Sequence, residues 1–153
     1  MALHELIIAY EAATSSFLAA AEQLESTHLD KGPAGEWTPR MVVHHLAHAD
    51  VYCLSRIIQV LSEPGSDIRS FSEEALATSE VLAYSTAPIE PALALFAATR
   101  RETARLLKAA TESDLLRTCN HSEYGPITLE TMITLFTNHP VGHVQQILDA
   151  VNS

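Results

Sequence analysis

Residues 38–62, TPRMVVHHLAHADVYCLSRIIQVLS, carry the strongest structural signal in the chain. Their apolar side chains recur at steps of three and four residues, which is the spacing of one face of an α-helix. Thr38 can cap the first turn with its hydroxyl, and Pro39 suits the first helical position because its missing N–H is not needed there. The segment EPGS at residues 63–66 then ends the helix. One long amphipathic helix is therefore predicted.

The same periodicity predicts three more long helices, over about residues 2–26, 88–110 and 128–151. Residues 64–87 hold few large apolar side chains, so we interpret them as a long connection with a short helix near residues 72–83. Residues 111–127 contain a Gly-Pro turn signal and are predicted to form a loop.

Length and composition fit one folded domain. The chain has 153 residues, of which 47% are apolar and 18% are charged, enough apolar surface to form a core. Because the sequence offers no sheet, the four amphipathic helices must bury their apolar faces against one another. We predict an all-α four-helix bundle spanning residues 1–153 as a single domain, and the long connection between the second and third helices allows one crossover.

The charge balance excludes whole classes of partner. Nine Lys and Arg against nineteen Asp and Glu give a net charge of −10, so we expect neither a nucleic acid nor an anionic membrane as a partner. Cys53 and Cys119 form no CxxC pair, and the amino terminus lacks the cationic start of a signal peptide. These features favour a reduced, cytoplasmic setting.

Histidines mark a candidate metal site. His139 and His143 are one helical turn apart, so both imidazoles can reach a single ion from the same face of the last helix. His45 lies beside the apolar face of the second helix and can point into the bundle. Three neutral imidazoles would leave coordination positions for water or substrate, as in catalytic sites. The alternative is that these are hydrogen-bonded core histidines, or surface histidines on a polar face.

Two blocks of sequence resemble one known family. Residues 36–50, EWTPRMVVHHLAHAD, resemble the W-[ST]-x-x-x-[IVL]-[IVL]-x-H-[LV]-A-D signature of the DinB/YfiT-like superfamily. Residues 120–147, NHSEYGPITLETMITLFTNHPVGHVQQI, are similar to the H-P-E-x-G-x-x-T-L and H-x-x-x-H-x-x-x-I pattern of its YfiT branch. The blocks occur in the family's order, and the helical plan agrees over nearly the whole chain.

The resemblance implies a four-helix bundle that holds a divalent metal ion, nickel or zinc, through His45, His139 and His143. His44 would then point outward or contact the bundle wall. The implied activity is transfer of a low-molecular-weight thiol, such as bacillithiol or mycothiol, to an electrophilic substrate. The alternatives are a hydrolase, a metal-binding stress-response protein without turnover, and a helical interaction module with a vestigial site. The resemblance also allows a homodimer.

Two further histidines are candidate catalytic residues beside the metal. His48 stands where the signature has aspartate, and it could donate to a ligand, shuttle a proton or bind the ion, or simply be solvated between helices. His121 matches the family's loop histidine, and its alternative role is a hydrogen bond that anchors the loop. Asp50 and Glu123 are, with His48, further candidates for a general base or for the acid that protonates a leaving group.

Pro140 directly follows one of the three expected ligands. Proline removes the hydrogen bond to the carbonyl of Phe136 and crowds that turn, so we expect a kink in the last helix. A sharp bend there would separate the imidazoles of His139 and His143.

Overall fold

The computed structural model describes all residues 1–153 and contains four long helices. The elements are α1 (Leu3–Glu22), α2 (Pro39–Ser62), β1 (Asp67–Ile68), α3 (Glu73–Thr78), α4 (Glu90–Ala109), a 3-10 turn (Glu112–Leu116), β2 (Thr118–His121), β3 (Gly125–Thr128) and α5 (Leu129–Val151). The predicted four-helix bundle is confirmed. None of these helices combines the length and the apolar character needed to cross a membrane.

The helix starts follow the capping signals in the sequence. The Thr38 hydroxyl accepts a hydrogen bond from the backbone N–H of Met41 at 3.4 Å, and Pro39 occupies the first turn of α2. Thr128 caps α5 in the same way, accepting from the N–H of Thr131 at 3.1 Å. These side chains fix where the two histidine-bearing helices begin.

The bundle does not place consecutive helices side by side throughout. Helix α1 packs against α4 and α5, and α2 packs against the same two helices, so α1 and α2 lie across the diagonal. The chain between them therefore crosses the end of the bundle. As a result α2 and α5, which carry the candidate metal ligands, are direct neighbours.

A small three-stranded sheet is the feature that the sequence analysis missed. Strand β2 pairs antiparallel with β3, and β1 pairs parallel with β2 through residues 67–68 and 120–121. The expected loop at residues 111–127 is therefore largely a hairpin, and His121 lies on β2 rather than in a loop. Strands of two to four residues show no usable periodicity, and their pairing joins parts of the chain that are far apart in sequence. The short helix also ends at Thr78, earlier than expected.

Arg100 is a buried cation at the centre of the bundle, with 1% of its surface exposed. Its guanidinium donates to Thr14 Oγ1 at 2.8 Å and to the carbonyl of Tyr10 at 3.3 Å, both in α1. It also donates to Asp50 Oδ1 in α2 at 3.1 Å and to the carbonyl of Phe136 in α5 at 2.8 Å. One side chain of α4 therefore binds the three other long helices.

The contact with Phe136 explains how α5 tolerates Pro140. Proline at residue 140 has no N–H to give to the carbonyl of Phe136, and Arg100 supplies that donor instead. Helix α5 runs from Leu129 to Val151 with the proline inside it.

Replacing Arg100 with methionine should strongly destabilise the fold, because it leaves Asp50 buried without its partner and the carbonyl of Phe136 without a donor. We expect a loss of about 3–5 kcal/mol in the free energy of unfolding, or on the order of 10 °C in Tm. The control is Arg101→Met, at the exposed neighbouring position, which should change stability by less than about 0.5 kcal/mol. Equal denaturant midpoints for the two variants would contradict the role given to Arg100.

Candidate metal centre

Three imidazoles from two helices meet at one point in the bundle. His45 comes from α2, and His139 and His143 come from α5, with one ring nitrogen of each lying within 4.8 Å of the others. The Nε2 atoms of His45 and His139 are 2.9 Å apart. The ring centres of His139 and His143 are 5.3 Å apart. The structure thus brings together the three ligands expected from the sequence, and Pro140 does not separate the pair on α5.

Burial keeps two of these rings neutral. It lowers the pKa of His45 to about 3 and that of His139 to about 4, and the neighbouring imidazoles lower both pKa values further. A neutral imidazole carries a lone pair on one nitrogen, which is the form that binds a metal ion. Both rings are therefore ready to bind at neutral pH without releasing a proton.

His143 is oriented by a hydrogen-bonded glutamine. Its Nδ1 lies 3.3 Å from Gln146 Oε1, and because an amide oxygen only accepts, Nδ1 carries the proton and Nε2 keeps its lone pair. The amide nitrogen of Gln146 donates in turn to the backbone carbonyl of Trp37. The indole of Trp37 packs edge-on against His45, with ring centres 4.7 Å apart. One short chain of contacts therefore joins candidate ligands from both helices.

The buried nitrogens of His45 and His139 fit a divalent ion. These two rings share a single hydrogen bond, between their Nε2 atoms, and both Nδ1 atoms are buried without a partner. Three convergent imidazole nitrogens are a donor set that suits a divalent transition-metal ion. An ion held by the three histidines would replace the hydrogen bond between these two rings, in which one Nε2 carries the proton and the other accepts it.

An open cleft of about 740 Å³ leads to the site. Its lining includes His139, His143 and Glu73, whereas His45 is buried and does not line it. Glu73 Oε1 lies 3.9 Å from His45 Nε2, so a carboxylate faces the same nitrogen that faces His139. Helix α3 positions this residue, because Ser72 caps it by accepting from the N–H of Ala75 at 3.1 Å.

Sequence reasoning missed Glu73 as a site residue. The residue belongs to the long connection between α2 and α4, and nothing in its local spacing shows that this connection folds back over the histidines. The available signal was the Ser72 cap followed by acidic residues, which predicts a short helix but not its location.

His44 and His48 face a different part of the bundle. His48 Nδ1 hydrogen-bonds the hydroxyl of Tyr84 at 2.8 Å, and the His44 ring stacks on Tyr84 while its Nε2 lies 3.2 Å from the carbonyl of Ala87. Neither residue lines the cleft. His44 contacts the bundle wall, which is one of its two expected positions. His48 lies on the side of α2 away from the cleft.

His121 and Glu123 do line the cleft, on the hairpin. His121 Nδ1 accepts from the backbone N–H of Glu123 at 3.1 Å, so its proton sits on Nε2. Burial lowers the pKa of His121, with a smaller effect from the nearby Arg56. Asp50, in contrast, is bound to Arg100 beneath the site and does not line the cleft.

Comparison with known proteins gives a consistent picture. The sequence profile of the DinB superfamily matches residues 9–147. The chain is 30% identical to a protein of Oceanobacillus iheyensis over 82% of this chain and 69% of that protein. It is 33% identical to a protein of Geobacillus thermodenitrificans over 83% and 68% of the two chains. Both relatives carry the name "putative metal-dependent hydrolase".

A solved structure is also similar over its whole bundle. YfiT from Bacillus subtilis, reported to have an unusual four-helix bundle topology, aligns with a TM-score of 0.87 at 27% sequence identity. The alignment covers 98% of this chain and 86% of that chain. The diagonal placement of α1 and α2 is therefore shared with a protein of known structure.

Gln146→Ala should weaken metal binding without unfolding the protein, because it removes the acceptor that orients His143. We expect a loss of roughly 10- to 100-fold in affinity for Zn²⁺, measured by competition with a chelator. The matched control is Gln145→Ala, whose side chain is exposed and bonds only Asp149. An affinity loss of the same size in both variants would show that the glutamine at residue 146 has no orienting role.

Proposed function

The chain belongs to the DinB superfamily, and on this premise we propose that it is a metal-dependent hydrolase in which His45, His139 and His143 hold one divalent cation, zinc or nickel. The observation that carries the proposal is the convergence of three imidazole nitrogens within 4.8 Å at the end of an open cleft. Three protein ligands beside an open space are typical of catalytic rather than structural ions.

The ion and the protein would divide the chemistry between them. When bound, a divalent cation polarises a carbonyl or phosphoryl oxygen and lowers the pKa of a water molecule beside it. The histidines contribute as neutral ligands, so they leave the positive charge of the ion uncompensated.

Glu73 is the residue best placed to take a proton. Its Oε1 lies 3.9 Å from His45 Nε2, and the carboxylate lines the cleft through which water and substrate enter. A proton taken from the attacking water at Oε1 could then be passed to the leaving group. His121, with its proton on Nε2, offers a donor to an oxygen of the substrate in the same cleft.

Thiol transfer is the second candidate. The cleft, at about 740 Å³, has room for a low-molecular-weight thiol together with an electrophile, and a bound divalent cation would also stabilise a thiolate. The relatives named putative metal-dependent hydrolases support hydrolysis as the first candidate over this reaction.

His143→Ala should remove both the metal ion and the activity. Elemental analysis of untagged wild-type protein should find about one divalent ion per chain, and the variant, left with two protein ligands, should hold far less. His4→Ala, an exposed position in the first turn of α1, should match wild type. Retention of a full equivalent of metal in His143→Ala would contradict the three-histidine site.

Glu73→Gln should separate catalysis from metal binding. We expect the metal content to stay near wild type and kcat for ester hydrolysis to fall roughly 10²- to 10⁴-fold, because the amide cannot accept the proton. Glu74→Gln, at the adjacent exposed position, is the matched control. A parallel assay with a bacterial thiol and monobromobimane distinguishes the two reactions. Metal-dependent thiol conjugation without ester hydrolysis would replace the hydrolase proposal with the transferase.

A further inference from the structure

Arg56 is a half-buried cation of the cleft without a carboxylate partner. The protein has a net charge of −10, yet no Asp or Glu oxygen lies within 4.0 Å of this guanidinium. The other three arginines that are buried or half-buried each pair with an aspartate: Arg40 with Asp30, Arg100 with Asp50 and Arg117 with Asp114. Arg56 is the exception among them, and it lines the cleft.

The guanidinium of Arg56 is held in place by two contacts and still has N–H groups free to donate hydrogen bonds. One of its amino groups donates to the carbonyl of Arg69 at 2.6 Å, and its plane lies over Phe71, 5.1 Å from the ring centre. Phe71 is itself stacked on Tyr52, with ring centres 4.4 Å apart. The remaining N–H groups of Arg56 have no acceptor in the protein. These unpaired N–H groups belong to the planar guanidinium, whose paired donors recognise carboxylates and phosphates.

The position of Arg56 relative to the histidines limits what it can bind. It follows His45 by three turns of α2, about 16 Å along the axis and on nearly the same face. Helical side chains lean toward the amino terminus of their helix, which brings the guanidinium closer to the histidines. His139 and His143 line the same cleft as Arg56, so one ligand can reach both ends.

We propose that Arg56 binds an oxyanionic group, a carboxylate or a phosphate, at the end of the substrate remote from the reacting bond. The part of this proposal that places the reacting bond at the histidines rests on the proposed function. The substrate would then be elongated, with its anionic group on the order of 10 Å from the group that is attacked. Glu73 and Glu123 also line the cleft, and Glu123 lies close enough to Arg56 to interact with its charge. Arg56 is the only Lys or Arg of the lining and therefore offers an anion its fixed cationic contact there.

The first experiment detects anion binding at Arg56 directly. The full-length protein, with and without Zn²⁺, is titrated with glutarate, inorganic phosphate and neutral glutaramide, and the Nε–Hε resonances of arginine are followed by NMR. Glutarate or phosphate should shift the Arg56 resonance saturably, glutaramide should not, and exposed Arg101 should stay unchanged. An unshifted Arg56, or an equal shift at Arg101, would overturn the proposal.

The second experiment tests the predicted reach. Two metal-binding probes of equal length are compared on the Zn²⁺-loaded protein by calorimetry: suberic acid monohydroxamate, which ends in a carboxylate, and octanohydroxamic acid, which ends in a methyl group. Wild type should bind the carboxylate probe about tenfold more tightly. Arg56→Gln should abolish that preference, Arg56→Lys should keep part of it, and Arg101→Gln should keep all of it.

The outcomes separate this proposal from the proposed function. Equal affinity of the two probes for the wild type, or an unchanged preference in a folded Arg56→Gln variant, would overturn the role of Arg56 in binding the substrate. If neither probe binds, the metal centre is contradicted, and the NMR titration alone decides whether Arg56 is an anion site. Thermal unfolding of each variant shows that it is folded.

Discussion

The buried guanidinium of Arg100 is the interaction on which the site depends. It takes acceptors from α1, α2 and α5 at once, and its loss would leave a buried carboxylate and a buried carbonyl unpaired. Asp50 lies five residues after His45 in α2, and Phe136 lies three residues before His139 in α5. By binding both, Arg100 fixes the axial register of the two helices whose imidazoles must meet. A polar contact in the core thus sets the geometry of the site above it.

The site combines neutral ligands with a few charged groups around the cleft. Burial keeps His45 and His139 uncharged, so the positive charge there would come from the ion alone. Glu73 places a carboxylate 3.9 Å from His45 Nε2, and Arg56 places a guanidinium at another position in the cleft lining. The opposite charges of Glu73 and Arg56 make the cleft electrostatically polar, and this polarity would orient a substrate with one anionic end.

Periodicity and local spacing predicted the four long helices and the pair of His139 and His143, and the family signature singled out His45. His139 and His143 stay close together despite Pro140, because Arg100 donates to the carbonyl that the proline leaves without a hydrogen bond. Arg100 comes from a different helix, so no local sequence pattern could connect it to that carbonyl. Glu73 and the strand pairing depend on how the connection after α2 folds back, and that folding is set by contacts distant in sequence. Gln146 lies one turn beyond His143, but its role becomes visible only when Trp37 is placed beside it. Sequence patterns therefore predict the three histidines, whereas the groups that surround and orient them require the tertiary structure.

The small sheet forms part of the wall of the cleft, whereas the four long helices form the scaffold of the protein. The hairpin carries His121, Glu123 and Tyr124 into the cleft wall, and β1 ties the hairpin to the chain that leads to Phe71. Its tip is exposed and bears none of the contacts that join the four long helices. Substitutions there can reshape the entrance while the bundle and its histidines stay unchanged. The tip of the hairpin can therefore alter the shape of the cleft entrance independently of the packing of the four long helices.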